Sequence, residues 1–588
     1  MSRRQRCLTR RELIKLSAAA GGGAVLVGSG PLFALSPTRW GEPPRFGLNA
    51  EEAADTILVG GKVATVDSTG SITQAVAVRD GLILATGSDA TVYALAGPQT
   101  LVVDLGGRTL TPGLIDAHCH FALKAMFGTY LYPFIPPDVT SIVELKEVLS
   151  ELVAEMAPDE WVKGYYLTLS EDRYPDRYDF DPVSPSNPVF IMHQGGHWGC
   201  VNTRALEIAG ITAATPDPEG GIIERDEQGE PTGVLFNHRA MDLVRRFIEP
   251  YTQEETEAGI LSTQPLLAAR GVTSYQDNNI RVIDSLTAYQ RLASGGSAYL
   301  RQALFFTLEW PADLERALND VEHVTNPFTR FAGFKFLIDG QAPTAYCHQP
   351  HNGTSWDMPT WDPDGFKETV RTLHDTGLQV CVHCAGDAAV DLALDAFEAA
   401  MQANPRPDPR HRLEHAVITT AAATPRIRDL GVVVSTQPQF IRGADSWAEI
   451  FTEEQMARVM MTREWLDASI HVALGSDTPT TPWYDPQMTL RGAMVRDTSS
   501  GTVIGPGQVL TAEEALRAHT IEAAYAVHEE EVKGSLEVGK LADLVVWSAD
   551  PLTSTPDEVC RSAIDLTMVG GDIVYLGPRP PRRRVGGG

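Results

Sequence analysis

Cysteine is scarce in this chain. Its 588 residues hold seven, at 7, 119, 200, 347, 381, 384 and 560, an odd and dispersed set that excludes a dense disulfide framework. Cys381-Val-His-Cys384 imitates a C-x-x-C motif. On a strand, however, positions three apart face opposite ways, so the pair is not expected to chelate zinc or cycle redox. Long apolar runs are missing too: beyond a weakly apolar N-terminal stretch, nothing approaches the 18 or so residues that a transmembrane helix needs. Positive charge is in short supply. Lys and Arg total 48 against 76 Asp and Glu, a formal charge of −28, and without a basic face the chain is not expected to bind nucleic acid. What remains is an ordinary globular composition, 43% hydrophobic and 21% charged, in a chain long enough for a large core and more than one domain.

Residues 1–40 read as a targeting segment rather than as fold. Thr9-Arg-Arg-Glu-Leu-Ile-Lys15 is a twin-arginine motif, and the small-residue stretch Leu16 to Gly30 that follows resembles a Tat export signal. The Tat machinery is therefore an expected partner, and the periplasm or the exterior the expected destination. Phe33-Ala-Leu-Ser36 fits the usual small-x-small cleavage pattern poorly, which leaves an uncleaved membrane anchor open.

Short strands with turns occupy 54–113 and return at 530–577, which predicts one composite β-sandwich domain built from both chain ends. The last residues, 578–588, are Pro, Arg and Gly and are expected to be disordered. Between the flanks, 114–529 alternates strands with helical stretches. Eight candidate strands, 114–120, 272–276, 301–307, 333–338, 378–384, 411–415, 432–436 and 471–476, predict an α/β fold with a TIM-type (β/α)8 barrel. Helix-patterned segments include Asp364 to Thr376, Ala388 to Asn404 and Thr452 to Ala468. The interval after the first strand is too long for one β/α unit, so about 124–262 reads as an insertion over the catalytic face, with strand-like runs at 161–166 and 188–193.

The segment Leu114-Ile-Asp-Ala-His-Cys-His120 carries the most chemistry. On a strand, His118 and His120 share a face, with Asp116 on the same side, and Cys119 points the other way. Fifteen histidines would give about 0.4 His-x-His pairs by chance, so the motif needs partners. In a barrel those partners sit at the C-terminal ends of other strands. Reading each end gives Lys335, His383, His415 and Asp477. Four histidines, a lysine and an aspartate at one mouth form a plausible divalent-metal site.

These motifs resemble the amidohydrolase superfamily, in particular its YtcJ-like "amidohydrolase 3" branch, which includes N-substituted formamide deformylases. The resemblance spans about 55–576. It is carried by Thr111-Pro-Gly-Leu-Ile-Asp-Ala-His-Cys-His120, Gly271-Val-Thr-Ser-Tyr-Gln-Asp277, Val382-His-Cys-Ala-Gly-Asp387, Leu413-Glu-His-Ala416, Gln437-Pro438, Gly475-Ser-Asp-Thr-Pro479 and Gly539-Lys-Leu-Ala-Asp-Leu-Val-Val546, with His197-Trp-Gly-Cys-Val-Asn-Thr-Arg-Ala-Leu206 in the insertion. It implies two divalent ions, zinc by habit. His118, His120 and Asp477 would hold one, His383 and His415 the other, and Lys335, carboxylated by carbon dioxide, would bridge them. The implied reaction is cleavage of a small-molecule, non-peptide, linear amide C–N bond by a metal-bridging hydroxide. From metal chemistry, Asp477 is expected to be the catalytic proton carrier; an oxyanion donor is also needed, and His197 of the insertion is the candidate, a plain loop histidine being the alternative. The loop Asp339-Gly-Gln-Ala-Pro343 departs from the branch's usual pattern, which leaves leaving-group specificity open. Aromatic residues at 130, 161, 165, 166, 198, 346, 356, 361 and 483 are candidates for a pocket wall. A cyclic amidase or deaminase on the same centre stays open, as does a non-catalytic, metal-stabilised binding or regulatory protein, and nothing excludes a homodimer.

Overall fold

A computed structural model describes residues 53–166, 169–171, 173–341, 344–349, 359–481 and 485–585. The twin-arginine segment 1–40 and the aromatic residues Trp356 and Trp483 lie outside the described residues. The eight expected barrel strands are present: β1 (Leu114–Cys119), β2 (Val272–Ile280), β3 (Arg301–Leu308), β4 (Thr329–Leu337), β5 (Gln379–Cys384), β6 (Arg412–His415), β7 (Val433–Thr436) and β8 (Val472–Leu474). They form one parallel sheet in sequence order. β1 and β8 are its two ends, and the seam between them is closed at the C-terminal side. Asp477 N–H donates to His118 O at 2.7 Å, and His120 N–H donates to Thr478 O at 2.8 Å. The close approach requires Gly475, where a Cβ would fall 2.5 Å from the His118 nitrogen.

Alternation along the strands sets what faces inward. Phe334 and Phe336 on β4, and Val380, Val382 and Cys384 on β5, join one apolar cluster with the surrounding helices, such as Asp387–Ala403. Lys335, Cys381 and His383, the residues between them, face the other way. Cys381 packs instead with Ala303, Phe305 and Ala332. The two cysteines of Cys381-Val-His-Cys384 thus belong to different clusters, and both are free thiols. Cys119 packs with Phe121 and Ala122 outside the barrel.

The expected helix from Thr452 to Ala468 is a correction: two short helices stand there, Glu453–Met456 and Thr462–Asp467. Met460 has φ 43°. The fully buried Arg496 takes the carbonyls of Val459 (2.8 Å) and Met460 (3.1 Å), with Ile504 O at 2.9 Å. Carbonyls bound to a guanidinium are lost to a helical ladder.

Two sheets flank the barrel. One joins strands 54–59, 75–79, 82–87, 96–104 and 582–585, and the other joins 62–64, 72–73, 109–112, 544–547, 564–569 and 572–576. A shared apolar core, including Leu58, Val76 and Val103 from the first and Val63, Leu544 and Leu566 from the second, holds them face to face. The C-terminal tail, expected to be disordered throughout 578–588, instead gives a strand at Arg582–Val585, antiparallel to the strand ending at Asp104. Backbone pairing needs no apolar side chain, and the strand covers an otherwise open edge. Between β1 and β2 the chain forms a separate six-stranded sheet that includes Val162–Tyr166 and Val189–His193, paired in parallel. Among the described residues no helix is long and apolar enough to cross a membrane.

Candidate metal centre

His118, at the end of β1, has no exposed surface. Its Nδ1 lies 2.5 Å from Glu414 Oε2. An ionised carboxylate only accepts, so Nδ1 carries the proton and Nε2 is left as a bare lone pair. The same logic applies twice more. His383 Nδ1 faces Asp339 Oδ1 at 2.8 Å, and His415 Nδ1 faces Gln437 Oε1 at 2.5 Å. Each imidazole is thus turned by a partner behind it so that Nε2 points forward. The rings crowd together, with centroids 4.7 Å apart for His118–His415, 4.6 Å for His383–His415 and 5.2 Å for His118–His120.

Asp477 meets them from the loop after β8. Its Oδ1 is 3.2 Å from His118 Nε2 and 2.9 Å from His120 Nε2, while its Oδ2 accepts the Thr480 hydroxyl at 2.6 Å. Ligand atoms of His118, His415 and Asp477 all fall within 4.8 Å of one another. His120, His383 and Lys335 stand outside that tight group but border it. Lys335 is wholly buried and close enough for its charge to act on His120 and His415. Two of the group carry backbone strain, with φ 72° at His415 and 53° at Asp477, a region that non-glycine residues enter at some energetic cost.

Several of these buried atoms lack any hydrogen-bond partner: His118 Nε2, Asp477 Oδ1, Lys335 Nζ and His197 Nδ1. Buried polar groups are normally satisfied, so such orphans around the His118, His415 and Asp477 group fit a cation-binding role. The donor set of neutral imidazole and carboxylate suits a divalent metal. Electrostatics agree in direction. Burial pushes His120 down to about 4 and lowers Lys335. Burial and then the neighbouring His383 hold His415 and His197 well below the usual imidazole range. Burial opposes ionisation of Asp477, but His120 and His118 hold its carboxyl well below the usual range.

The roles of Glu414, Asp339 and Gln437 behind these imidazoles are not evident from the sequence. Asp339 also accepts backbone N–H groups from Tyr346, Ala385 and Gly386. Asp116 accepts from Ser476 N–H at 2.8 Å and from its hydroxyl at 2.5 Å, and burial pushes its carboxyl up to about 6. Glu414, Gln437 and Asp116 all lie within quoted motifs, which was the available signal. A cavity opens over the centre, lined by His197, Gln341, His383, Ala385, His415, Val417, Phe440, Trp447, Phe451 and Asp477. His197 thus reaches the site from the insertion, its ring 5.0 Å from that of His383. The aromatic wall consists of Phe440, Trp447 and Phe451, none of them among the expected aromatics. Of those, Trp361 packs on Phe336 and Phe366, Tyr165 stacks on Phe127, and Trp198 stacks on His193.

Comparison with known proteins agrees with this geometry. A model described as the amidohydrolase family matches residues 101–575. The N-substituted formamide deformylase of Arthrobacter pascens is 31% identical over 543 residues, covering 89% of this chain and 98% of that protein. The putative amidohydrolase YtcJ of Bacillus subtilis strain 168 is 27% identical over 532 residues, 88% of this chain and 98% of that one. An uncharacterized metal-dependent hydrolase from Pyrococcus horikoshii OT3 shares the fold, with a TM-score of 0.69 at 22% identity over 85% of this chain and 99% of its own. The chain belongs to the amidohydrolase family, as a hydrolase acting on carbon–nitrogen bonds.

Proposed function

We propose that the chain hydrolyses the C–N bond of a small linear amide with an apolar group on nitrogen, an N-substituted formamide being the leading case. The observation that carries this is the convergence of bare imidazole nitrogens and the Asp477 carboxylate at the floor of a cavity with a wall of Phe440, Trp447 and Phe451. The likeness to the Arthrobacter deformylase supports the formamide. His118, His120 and Asp477 would hold one divalent ion, zinc by donor chemistry, and His383 and His415 a second. Lys335, buried and without a hydrogen-bond partner, would bridge them as its carbamate, an anionic oxygen ligand where an ammonium would be repelled. When bound, such a metal lowers the pKa of its water toward about 7 and polarises a carbonyl.

The chain's own groups then divide the work. Asp477 accepts the proton of the attacking water and returns it to the departing nitrogen, with Thr480 holding the carboxylate in place. His197 donates a hydrogen bond to the oxygen that becomes negative. The aromatic wall takes the nitrogen substituent. Tat export through residues 1–40 belongs to the same reading, and fusing that segment to a reporter tests it.

The test is metal analysis of the pure protein alongside a substrate panel of N-substituted formamides, longer acyl amides, cyclic imides and amino-heterocycles. The expected result is two equivalents of metal and release of formate plus amine, lost in Asp477→Asn. Turnover confined to cyclic imides or amino-heterocycles would overturn the substrate class. Turnover independent of Asp477 would overturn the mechanism.

A further inference from the structure

The interior of a β/α barrel is ordinarily filled by layers of branched apolar side chains. Here the layer beneath the centre holds a guanidinium and a carboxylate. Arg412 and Glu414, two residues apart on β6, have no exposed surface. Arg412 Nε–H donates to Glu414 Oε1 at 2.7 Å and Nη2–H to Oε2 at 3.0 Å. Its other contacts are Gln276 Oε1 on β2, at 2.5 Å, and the Ala117 carbonyl on β1, at 2.7 Å. Stability alone does not account for the pair. Removing two charges from water costs about as much as their attraction returns, and apolar side chains of equal volume often do as well or better. The pair meets the chemistry at one atom, His118 Nδ1, 2.5 Å from Glu414 Oε2.

We propose that Glu414, with Arg412 as its countercharge, is a positioning residue of the metal centre: it locks His118 in the tautomer with a bare Nε2 and raises the donor strength of that nitrogen. A histidine ligand backed by a carboxylate is oriented and made more basic. The neighbouring rings provide an internal contrast. His383 has Asp339 behind it, and His415 has the neutral amide of Gln437. The imidazoles of one centre are thus graded by what stands behind them, with His118 above His415. The inference rests on the metal-centre reading above and adds to it the residue that sets the affinity.

The full chain is stripped with a chelator and titrated with Zn2+ against a chromophoric competitor, then with Co2+ for its visible absorption. Glu414→Gln keeps the shape and removes the charge. The double variant Arg412→Met/Glu414→Gln removes both charges, so no unpaired guanidinium is left to unfold the barrel. Asp543→Asn breaks a different buried ion pair, with Arg301, and controls for general destabilisation. Both Glu414 variants are expected to bind Zn2+ about 10–100-fold more weakly with a changed Co2+ spectrum, and Asp543→Asn to match the wild type in both. Wild-type affinity and an unchanged spectrum in the double variant would overturn the inference and leave the centre standing. A wild-type chain that takes up no metal would overturn both.

Discussion

At the base of the barrel, His374 and His411 are as buried as His118 at its mouth, yet their nitrogens are used up. His374 Nδ1 meets His411 Nε2 at 2.8 Å, His374 Nε2 meets the Asn404 carbonyl at 2.8 Å, and His411 Nδ1 accepts Val380 N–H at 3.1 Å. At the mouth, the Nδ1 atoms of His118, His383 and His415 each have a partner, while His118 Nε2 and His120 Nδ1 are bare. The ion pairs differ in the same way. Arg301–Asp543 at the base, 2.7 and 3.0 Å, ends in a backbone amide, Gly570 N–H, whereas Arg412–Glu414 ends in the His118 imidazole. Buried polarity that closes on itself holds a fold together. Buried polarity that leaves an atom over makes a site.

The comparison can be broken most sharply at Asp477. Asp477→Asn is expected to cost about 10²–10⁴ in turnover while the melting temperature of the metal-free protein stays near wild type. A variant that unfolds instead would move Asp477 to the structural side. Next comes Asp543→Asn, which leaves Arg301 uncompensated and is expected to destabilise by about 3–5 kcal/mol. Denaturant or thermal melting reads this, and the metal content should not change. His374→Ala strands a His411 nitrogen and should cost about 1–3 kcal/mol, again with full metal, whereas His118→Ala should lose metal and leave apo-protein melting nearly unchanged. Metal loss in His374→Ala would erase the distinction between the two ends. The smallest effect is expected from Trp447→Ala: KM for an amide with an aromatic nitrogen substituent should rise about tenfold, as 1–2 kcal/mol of apolar contact implies, with little change for a small alkyl substituent.

The barrel was legible because eight apolar runs recur with helical patterns between them, and side-chain alternation then places His118, Lys335 and His383 inside. Alternation fails at the next strand. It would send Glu414 and its neighbour His415 to opposite faces, yet both reach His118, because His415 leaves the β region at φ 72°. The aromatic wall was not legible for a different reason. Among the described residues, Tyr165, Trp198 and Trp361 have partners of their own, and Phe440, Trp447 and Phe451 sit on a segment that Arg442 ties to Asp497 Oδ2 and Thr498 O, both at 3.1 Å and more than 50 residues on. A pattern read along the chain cannot see that clamp. The C-terminal strand was missed because composition speaks of side chains, and an open sheet edge recruits backbone.

The sequence by itself determined which polar residues meet at the barrel mouth and in which order the strands bring them, because a two-residue period and a strand-end rule are local properties. Only the tertiary structure decided which nitrogen of each imidazole is bare, which carboxylate stands behind it and which aromatics face the cavity. Those outcomes depend on atoms from strands hundreds of residues apart, such as His118 and Glu414, and no local pattern encodes a contact made across the barrel.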